Sequence, residues 1–450
     1  MATHSSSEVF ERLPITGDGC APNPAEYPET PESSRSYWQK EHHDTVADGC
    51  SEADLPSDVD VIVIGSGITG AAVTYKLAKQ TPGLKVAVLE ARGFCSGATG
   101  RNGGHISRPE ANRDLLLQAV EELGAAEAIN LRLDGAFDVF KNQEQLDNYA
   151  ADHEAAIKNG FTPEATIISA EDTRKALGIP DEFPVSGAAY LKKSGTLWPR
   201  KLVQCLFKAS LKAMPGLSLH TYTPVTGVER RESQDPFKPT YEVTTARGKI
   251  RARAVFHATN AYVSHLVPDL RGEDGVFGAK CHVMAIQPNQ PAADGPDSTH
   301  LAYSFGYDAF WHWIAQVPSR GPFVYGYSWT CTLNDFDDTV TYPQTIDGRA
   351  KMNTFLESAF PAAFQSIDPV RDVTHDWTGI MGFTAKGTSV VGKVSKDSPG
   401  EFLSVGHNGE GMSRCFACAD FASEALLAYL RSDKSWTPPV WFPTSYRLNI

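Results

Sequence analysis

A short segment near residue 60 limits the possible fold of this chain more than any other feature. The apolar run Val59 to Ile64 predicts a buried parallel strand, and Ile68 to Gln80 predicts the helix that covers it. The turn between them has the pattern GxGxxG, and Glu90 closes the next predicted strand, Lys85 to Leu89. Such a turn, followed about 20 residues later by an acid, is typical of a Rossmann unit that binds an adenine dinucleotide.

Each residue of this turn has a physical role in that interpretation. Gly65 permits the tight turn, Gly67 lets the backbone approach a pyrophosphate, and Gly70 permits close packing of the helix. Glu90 accepts hydrogen bonds from ribose hydroxyls and repels a 2′-phosphate, which disfavours NADP. The predicted contacts of this turn with the dinucleotide are Gly65, Ser66, Gly67, Ile68, Thr69, Gly70 and Glu90. A glycine turn without a nucleotide is the weaker alternative, and the turn alone leaves both NAD and FAD open.

The whole chain predicts an α/β protein with two domains. Its 450 residues, 41% hydrophobic and 21% charged, exceed the usual size of one core. We expect a Rossmann-type domain with a parallel sheet and helices, and a second, substrate-binding domain built on a mainly antiparallel sheet. The expected segments are an N-terminal arm (1–57), three parts of the dinucleotide domain (58–110, 201–265 and 376–432), a helical segment (111–200), the second sheet (266–375) and a C-terminal tail (433–450). Residues 112–158 carry helical periodicity and predict a helical wall.

Net charge and cysteine distribution limit the classes of partner and the cellular compartment that we expect. The net charge of -13, without a Lys/Arg-rich block, argues against nucleic acid and anionic membranes as partners. The eight cysteines are scattered, which favours a reducing compartment, and no apolar run reaches the length of a membrane span. Cys415 and Cys418 lack a second pair or a redox context, so we expect no metal site. We expect a cytoplasmic protein.

A longer motif follows the acid and identifies a family. Residues 92–105 are rich in glycines and hydroxyls and contain Ser-Gly-Ala-Thr-Gly-Arg-Asn-Gly-Gly at 96–104, which could wrap a long ligand. The chain here resembles the D-amino-acid oxidase-like superfamily of FAD oxidoreductases, in the branch that contains glycine, sarcosine and gamma-glutamylputrescine oxidases. The resemblance extends from Asp58 to Leu430 and implies that FAD is the cofactor.

The same resemblance implies further contacts with FAD. In the loop after the acid they are Ala91, Arg92, Ser96, Thr99, Arg101, Asn102, Gly103, Gly104 and His105. On the adenine side they are Val225, Thr259 and Asn260, and at the flavin edge Gly379, Gly406, His407, Asn408, Gly409, Gly411 and Met412. The last loop precedes a predicted helix, whose dipole and N–H groups could face the flavin carbonyl where negative charge accumulates.

The resemblance also implies the chemistry. Hydride passes from the carbon next to an amine to flavin N5, the imine is hydrolysed, and in oxidases oxygen takes up the electrons as hydrogen peroxide. The partners are then a small amine and molecular oxygen. Two alternatives remain open: a dehydrogenase that uses another electron acceptor, and a non-catalytic protein that binds FAD.

Catalytic candidates come from an aromatic region and from the glycine-rich loop. Alternation in strand 310–313 puts Trp311 and Trp313 on one face and His312 on the other, so one set can face the flavin. The candidates are Tyr307, Trp311, His312 and His407. A histidine among aromatic residues is also often a structural residue, and that alternative stays open for His312.

Two features of this family are doubtful in the present sequence. Amino-acid oxidases of this type bind the substrate carboxylate with an arginine, and only Arg320 and Arg200 are available near the predicted pocket. An amino-acid substrate is therefore less expected than an amine. Some relatives tether flavin covalently, for which Cys331 and His105 are the candidate positions, but we expect noncovalent FAD.

Overall fold

The computed structural model describes residues 34–40, 46, 54–106, 110–231, 240–272, 275–290, 302–307, 310–333, 336 and 343–449. Within these ranges the side chains of residues 302, 303, 305–307, 310, 329, 343 and 344 lie outside the description. The strands are β1 Asp58–Ile64, β2 Val86–Leu89, β3 His105–Ile106, β4 Ala136–Phe140, β5 Ala165–Ser169, β6 Gly187–Leu191, β7 Gly195–Thr196, β8 Leu217–His220, β9 Val225–Arg230, β10 Tyr241–Thr245, β11 Gly248–His257, β12 Val276–Ile286, β13 Ala302–Tyr307, β14 Phe310–Gln316, β15 Phe323–Tyr327, β16 Thr332–Leu333, β17 Val373–Thr384, β18 Val390–Lys393, β19 Glu401–Val405 and β20 Arg447–Leu448. The helices are α1 Ile68–Gln80, α2 Glu110–Leu123, α3 Gln143–Lys158, α4 Ala170–Leu177, α5 Pro199–Ala213, α6 Val263–Leu266, α7 Pro343–Ala359 and α8 Cys415–Leu430.

The first sheet confirms the predicted Rossmann unit. Its order is β20-β18-β19-β11-β1-β2-β8, and the five strands from β19 to β8 run parallel. Val61 and Val63 of β1 belong to the core beneath α1, α5 and α8, whereas Ile62 and Ile64 pack with the β9–β10 hairpin. Because both faces of β1 are covered, its sequence is a nearly continuous apolar run.

The second sheet is mainly antiparallel, as predicted, but it draws on more of the chain than the sequence indicated. Its order is β16-β12-β15-β14-β13-β4-β6-β5, with β17 also paired to β12. Only the β13–β4 pair is parallel among the described pairs. The helical interpretation of residues 112–158 was wrong at Phe137 and Val139, which lie in β4 and pack into the core of this sheet. Strand β17 extends the second sheet past the expected boundary at residue 376.

Part of the N-terminal arm packs into the body of the protein. A short 3-10 turn, Tyr37–Gln39, buries Tyr37 and Trp38 in a cluster with Trp198 and Trp377. The arm therefore reaches the interface between α5 and β17. Within the described ranges, no helix has the length and apolar character that a membrane crossing requires.

Candidate cofactor and substrate site

A large cavity of about 1110 Å³ lies between the two sheets. Its walls include the carboxyl ends of β1 and β2, the loop after Glu90, the second sheet and the loop before α8. Crevices at the carboxyl ends of parallel strands are the usual ligand sites of open α/β sheets. The cavity continues from the GxGxxG turn to Trp311 and Trp313.

The GxGxxG turn has the backbone geometry that its glycines predict. Gly65 has φ +110°, and a Cβ there would lie 2.7 Å from the carbonyl oxygen of Ala258. A Cβ on Gly70 would lie 2.0 Å from the carbonyl oxygen of Gly65, so Gly70 contributes by close packing and does not line the cavity. Gly67 precedes α1 and has no side chain to cap the helix, while the hydroxyl of Thr99 accepts the N–H of Ile68 (3.0 Å); Gly67, Ile68 and Thr69 at this helix start line the cavity.

Glu90 is held in place by the same turn. Ser66 donates its N–H (3.0 Å) and its hydroxyl (2.7 Å) to Oε2 of Glu90. The N–H of Arg92 donates to Oε1 (3.0 Å). Since a carboxylate oxygen can accept two hydrogen bonds, Oε1 retains capacity for a ribose hydroxyl. Ser66 itself is fully buried and acts behind the cavity wall.

Side chains of the loop after Glu90 fix part of its own backbone and join it to β17. Asn102 donates its Nδ2 to the carbonyl of Thr99 (3.1 Å), and its Oδ1 accepts the N–H of Gly104 (2.7 Å). The buried guanidinium of Arg101 donates to the carbonyls of Ser96 (2.7 Å) and Thr378 (2.8 Å). This loop is therefore a rigid wall of the cavity that joins the first sheet to β17.

Asn260 connects the adenine side to the flavin-edge loop. It has φ +46°, and its Oδ1 accepts the N–H groups of Gly406 (3.1 Å) and His407 (3.3 Å). Asn408 fixes the next turn, because its Oδ1 accepts the N–H of Thr384 (2.9 Å). A short 3-10 turn, Gly411–Ser413, then leads into α8, whose first residues line the cavity.

His407 is buried in this loop and lines the cavity. Its Nδ1 lies 3.0 Å from the hydroxyl of Ser389, and its Nε2 has no hydrogen-bond partner in the described part of the chain. Burial, with a smaller effect of the Arg414 charge, lowers the pKa of His407 to about 3. The imidazole is therefore neutral at physiological pH.

The opposite wall is formed by neighbouring strands of the second sheet. Trp313 of β14, Ser304 of β13 and Asp138 of β4 stand in register and line the cavity. A Cβ on Gly326 would lie 2.3 Å from the Trp313 ring, so the indole lies flat against this glycine. A Cβ on Gly103 would lie 3.2 Å from the same ring, which places Trp313 directly against the loop after Glu90, residues 91–105, which we call the cofactor loop.

His312 lies on the other face of β14, as the alternation predicted, and does not line the cavity. Its ring stacks between Tyr327 (4.1 Å) and Phe355 (3.9 Å), and Nδ1 lies 2.5 Å from the hydroxyl of Tyr325. Burial lowers the pKa of His312 to about 3. The structure thus places His312 in the core, which favours the structural alternative over the catalytic one.

The cavity brings together most of the predicted contacts. Those that line it are Gly65, Gly67, Ile68, Thr69, Glu90, Ala91, Arg92, Thr99, Arg101, Asn102, Gly103, His105, Val225, Thr259, Asn260, Trp311, Gly379, His407, Asn408, Gly409, Gly411 and Met412. Ser66, Gly70, Ser96, Gly104 and Gly406 stand behind it and support the residues that do. The side chain of Tyr307 lies outside the described residues.

The sequence offers Arg320 and Arg200 as candidates for binding a substrate carboxylate, and Cys331 and His105 as candidates for covalent attachment of flavin. Arg320 lies in a turn with φ +55°, Arg200 stacks over Phe94 at 5.6 Å, and neither lines the cavity. Cys331 is joined to Cys281 in a disulfide, contrary to the expectation of reduced cysteines. His105 lines the cavity, with Nε2 3.1 Å from the carbonyl of Ile314.

The site includes residues that the sequence did not indicate. Asp138 lines the cavity from a strand that had the pattern of a helix, and Ser36 and Trp38 contact the cofactor loop from the N-terminal arm. Nothing in their local pattern distinguishes them, because their role depends on contacts between distant segments.

These residues fit a flavin adenine dinucleotide. The glycine cradle has no room for Cβ atoms, one carboxylate oxygen is available to a ribose, and the cavity extends beyond the nucleotide end to the aromatic wall. A nicotinamide dinucleotide would equally use the cradle, so the distinction depends on the similarity of the whole chain to known proteins.

Comparison with known proteins makes this distinction. The profile of the family described as "DAO: FAD dependent oxidoreductase" matches residues 60–425. The chain is 25% identical over 354 residues to the sarcosine oxidase subunit beta of Rhizobium meliloti (strain 1021), covering 75% of this chain and 78% of that protein. It is 24% identical over 220 residues to the mitochondrial sarcosine dehydrogenase of Mus musculus, a match that covers 47% of this chain and 23% of that longer protein.

Solved structures agree on the fold. Glycine oxidase from Geobacillus kaustophilus superposes with a TM-score of 0.67 at 20% identity, covering 84% of this chain and 96% of that one. L-Amino acid deaminase from Proteus myxofaciens superposes with a TM-score of 0.70 at 16% identity, covering 95% and 99%. The chain belongs to the DAO family of FAD-dependent oxidoreductases.

Proposed function

We propose that this protein oxidises the C–N bond of a small amine or amino-acid-derived metabolite, with FAD as the hydride acceptor and oxygen as the final electron acceptor. The observation that carries the proposal is the continuity of one cavity from the dinucleotide cradle to the aromatic wall of β14. When bound, FAD supplies the acceptor for the two electrons and the hydrogen of the C–H bond.

The protein's own residues position the substrate and exclude water. Trp311 and Trp313 provide flat apolar surface, and Trp313 also packs against Gly103 of the cofactor loop. A substrate on this wall is therefore held beside the cofactor loop, and positioning of this kind accounts for much of the rate enhancement of many enzymes.

His407 can orient the amine. Its neutral Nε2 can accept a hydrogen bond from the substrate nitrogen, while Ser389 fixes the ring through Nδ1. With a pKa of about 3, the imidazole is neutral at physiological pH and carries a proton on only one of its two nitrogens, so no imidazolium charge opposes loss of electrons from the amine. Neither Arg200 nor Arg320 lines the cavity, so neither of them can bind a substrate carboxylate there.

Anaerobic reduction tests the proposal. The purified yellow protein is mixed with primary, secondary and cyclic amines, and with alcohols of the same carbon skeleton as controls. We expect at least one amine to remove the flavin absorbance and the matched alcohol to leave it unchanged. If dithionite reduces the flavin but every amine fails, the chain binds FAD without oxidising amines, and the proposal is wrong.

The electron acceptor is tested separately. After reduction by an active amine, admission of air should restore the flavin absorbance and release one hydrogen peroxide per flavin. Restoration by an artificial electron acceptor but not by air would instead favour a dehydrogenase.

A further inference from the structure

Three consecutive carbonyl groups of the cofactor loop, those of Gly100, Arg101 and Asn102, all accept hydrogen bonds from side chains outside the loop. The donors are, in the same order, the hydroxyl of Ser36, Nε1 of Trp377 (2.8 Å) and Nε1 of Trp38 (2.5 Å). Two of the three donors thus belong to one short segment of the N-terminal arm, residues 34–40.

These bonds fix the direction of the peptide groups. A trans peptide points its carbonyl and its N–H in opposite directions. Since the carbonyls of Arg101 and Asn102 point at Trp377 and Trp38, the N–H groups of Asn102 and Gly103 point the other way. Asn102 and Gly103 line the cavity whereas Trp38 and Trp377 do not, so these two N–H groups lie on the cavity side of the loop. Successive backbone N–H groups of this kind bind anionic and carbonyl oxygens.

The segment 34–40 is itself firmly held. Ser36 is fully buried, and Trp38 is 5% exposed. The indole Nε1 of Trp198 donates to the carbonyl of Trp38 (3.0 Å), and the two rings pack edge to face with centroids 5.5 Å apart. Ser34 accepts the N–H of Thr378 of β17 (3.2 Å). The segment is therefore anchored to α5 and β17 while it contacts the cofactor loop.

We propose that residues 34–40 are a strap that retains FAD, with Ser36 and Trp38 as positioning residues that act through the cofactor loop. Neither residue lines the cavity. Their effect is exerted on the orientation of peptide groups that FAD contacts, so removal of either donor leaves a buried carbonyl unpaired and lets the loop turn away from its binding shape.

FAD titration of the apoprotein tests the strap. Ser36→Ala and Trp38→Phe each remove one donor, and each should raise the FAD dissociation constant about tenfold, measured by quenching of flavin fluorescence. Trp436→Phe is the matched control, since that indole packs against Phe421 and does not line the cavity. The control should leave FAD affinity at the wild-type value.

A thermal melt separates affinity from general damage. Apoprotein of Ser36→Ala should melt within a degree or two of wild-type apoprotein, and saturating FAD should restore the melting temperature of the wild-type holoprotein. Unchanged FAD affinity in Ser36→Ala would overturn the proposal, as would an equal loss in Trp436→Phe. If Trp38→Phe does not fold, Ser36→Ala alone decides the question.

Discussion

Ser66 donates both its N–H (3.0 Å) and its hydroxyl (2.7 Å) to one oxygen of the Glu90 carboxylate. The glycine turn and the acid of the fingerprint are thus one hydrogen-bonded unit, although 24 residues separate them. Glu90 lines the cavity, and its other oxygen accepts the N–H of Arg92 and retains capacity for a second hydrogen bond. Two predictions test the consequences for FAD.

Glu90→Gln should lower FAD affinity by roughly tenfold or more. Both carboxylate oxygens of Glu90 accept hydrogen bonds, whereas a glutamine amide has one accepting oxygen, and its NH₂ group would face a donor. The measurement is the FAD dissociation constant of the apoprotein. Glu121→Gln on the exposed face of α2 is the control. Equal FAD affinity in wild type and Glu90→Gln would show that Glu90 makes no contact with the ribose.

Gly67→Asp should yield colourless protein, since the new carboxylate would lie against the pyrophosphate at the start of α1. A Cβ at this position already meets the hydroxyl of Thr99 at 3.1 Å. Gly83→Asp is the matched control, because Gly83 is exposed and a Cβ there meets no atom within 4 Å. Flavin content is read from the visible spectrum after purification. If purified Gly67→Asp contains as much FAD as wild type, the turn at 65–70 does not contact the pyrophosphate.

His407 and His312, which are both buried, allow a catalytic role to be distinguished from a structural one. His407→Gln should slow anaerobic flavin reduction by an active amine at least tenfold, because the buried Nε2 of His407, which has no hydrogen-bond partner in the described part of the chain, is the proposed acceptor for the substrate nitrogen. His312→Gln should leave that rate within about twofold, since His312 packs on the other side of β14. Both variants should retain FAD. A larger loss of rate in His312→Gln than in His407→Gln would contradict this prediction, because it would place the substrate on the face of β14 that carries His312.

The sequence predicted the parts of the site that depend on local order along the chain. The turn at 65–70, the acid at 90 and the loop at 96–104 are each short motifs that can be recognised from consecutive residues, and residues of all three line the cavity. The parts it missed depend on distant pairing. Phe137 and Val139 have helical spacing, yet β4 forms because it pairs with β13 and β6, and nothing near residue 137 encodes those partners. Likewise, Trp38 reaches Asn102 across 64 residues.

His312 makes one contribution to the pH dependence of stability, and His407, whose pKa is lowered in the same way, makes another. The pKa of His312 falls from 6.5 in the unfolded chain to about 3 in the folded protein, because burial disfavours the charged ring. Between these pH values the unfolded state binds a proton at His312 that the folded state does not. The contribution of His312 to the free energy of unfolding is therefore fully present above pH 6.5 and is lost as the pH falls toward 3. Below pH 6 the loss is at most about 1.4 kcal/mol per pH unit. Urea unfolding of His312→Asn between pH 7.5 and 5.5 should show a shallower slope than wild type; parallel slopes would mean that His312 is protonated in the fold.

We predict that the Cys281–Cys331 disulfide makes the oxidised protein considerably more stable than the reduced protein. It closes a loop with a sequence separation of 50, which corresponds to about 4 kcal/mol of unfolded-state entropy. The double variant Cys281→Ser, Cys331→Ser should therefore unfold at a clearly lower urea concentration than oxidised wild type. Cys205→Ser, which removes a free thiol that is only half-buried, is the control and should change little. Cys281 and Cys331 both line the cavity, through which a reductant can reach the bond. Reduced wild type should therefore unfold at the same urea concentration as the double variant. Equal midpoints for oxidised and reduced wild type would show that the bond does not form in solution.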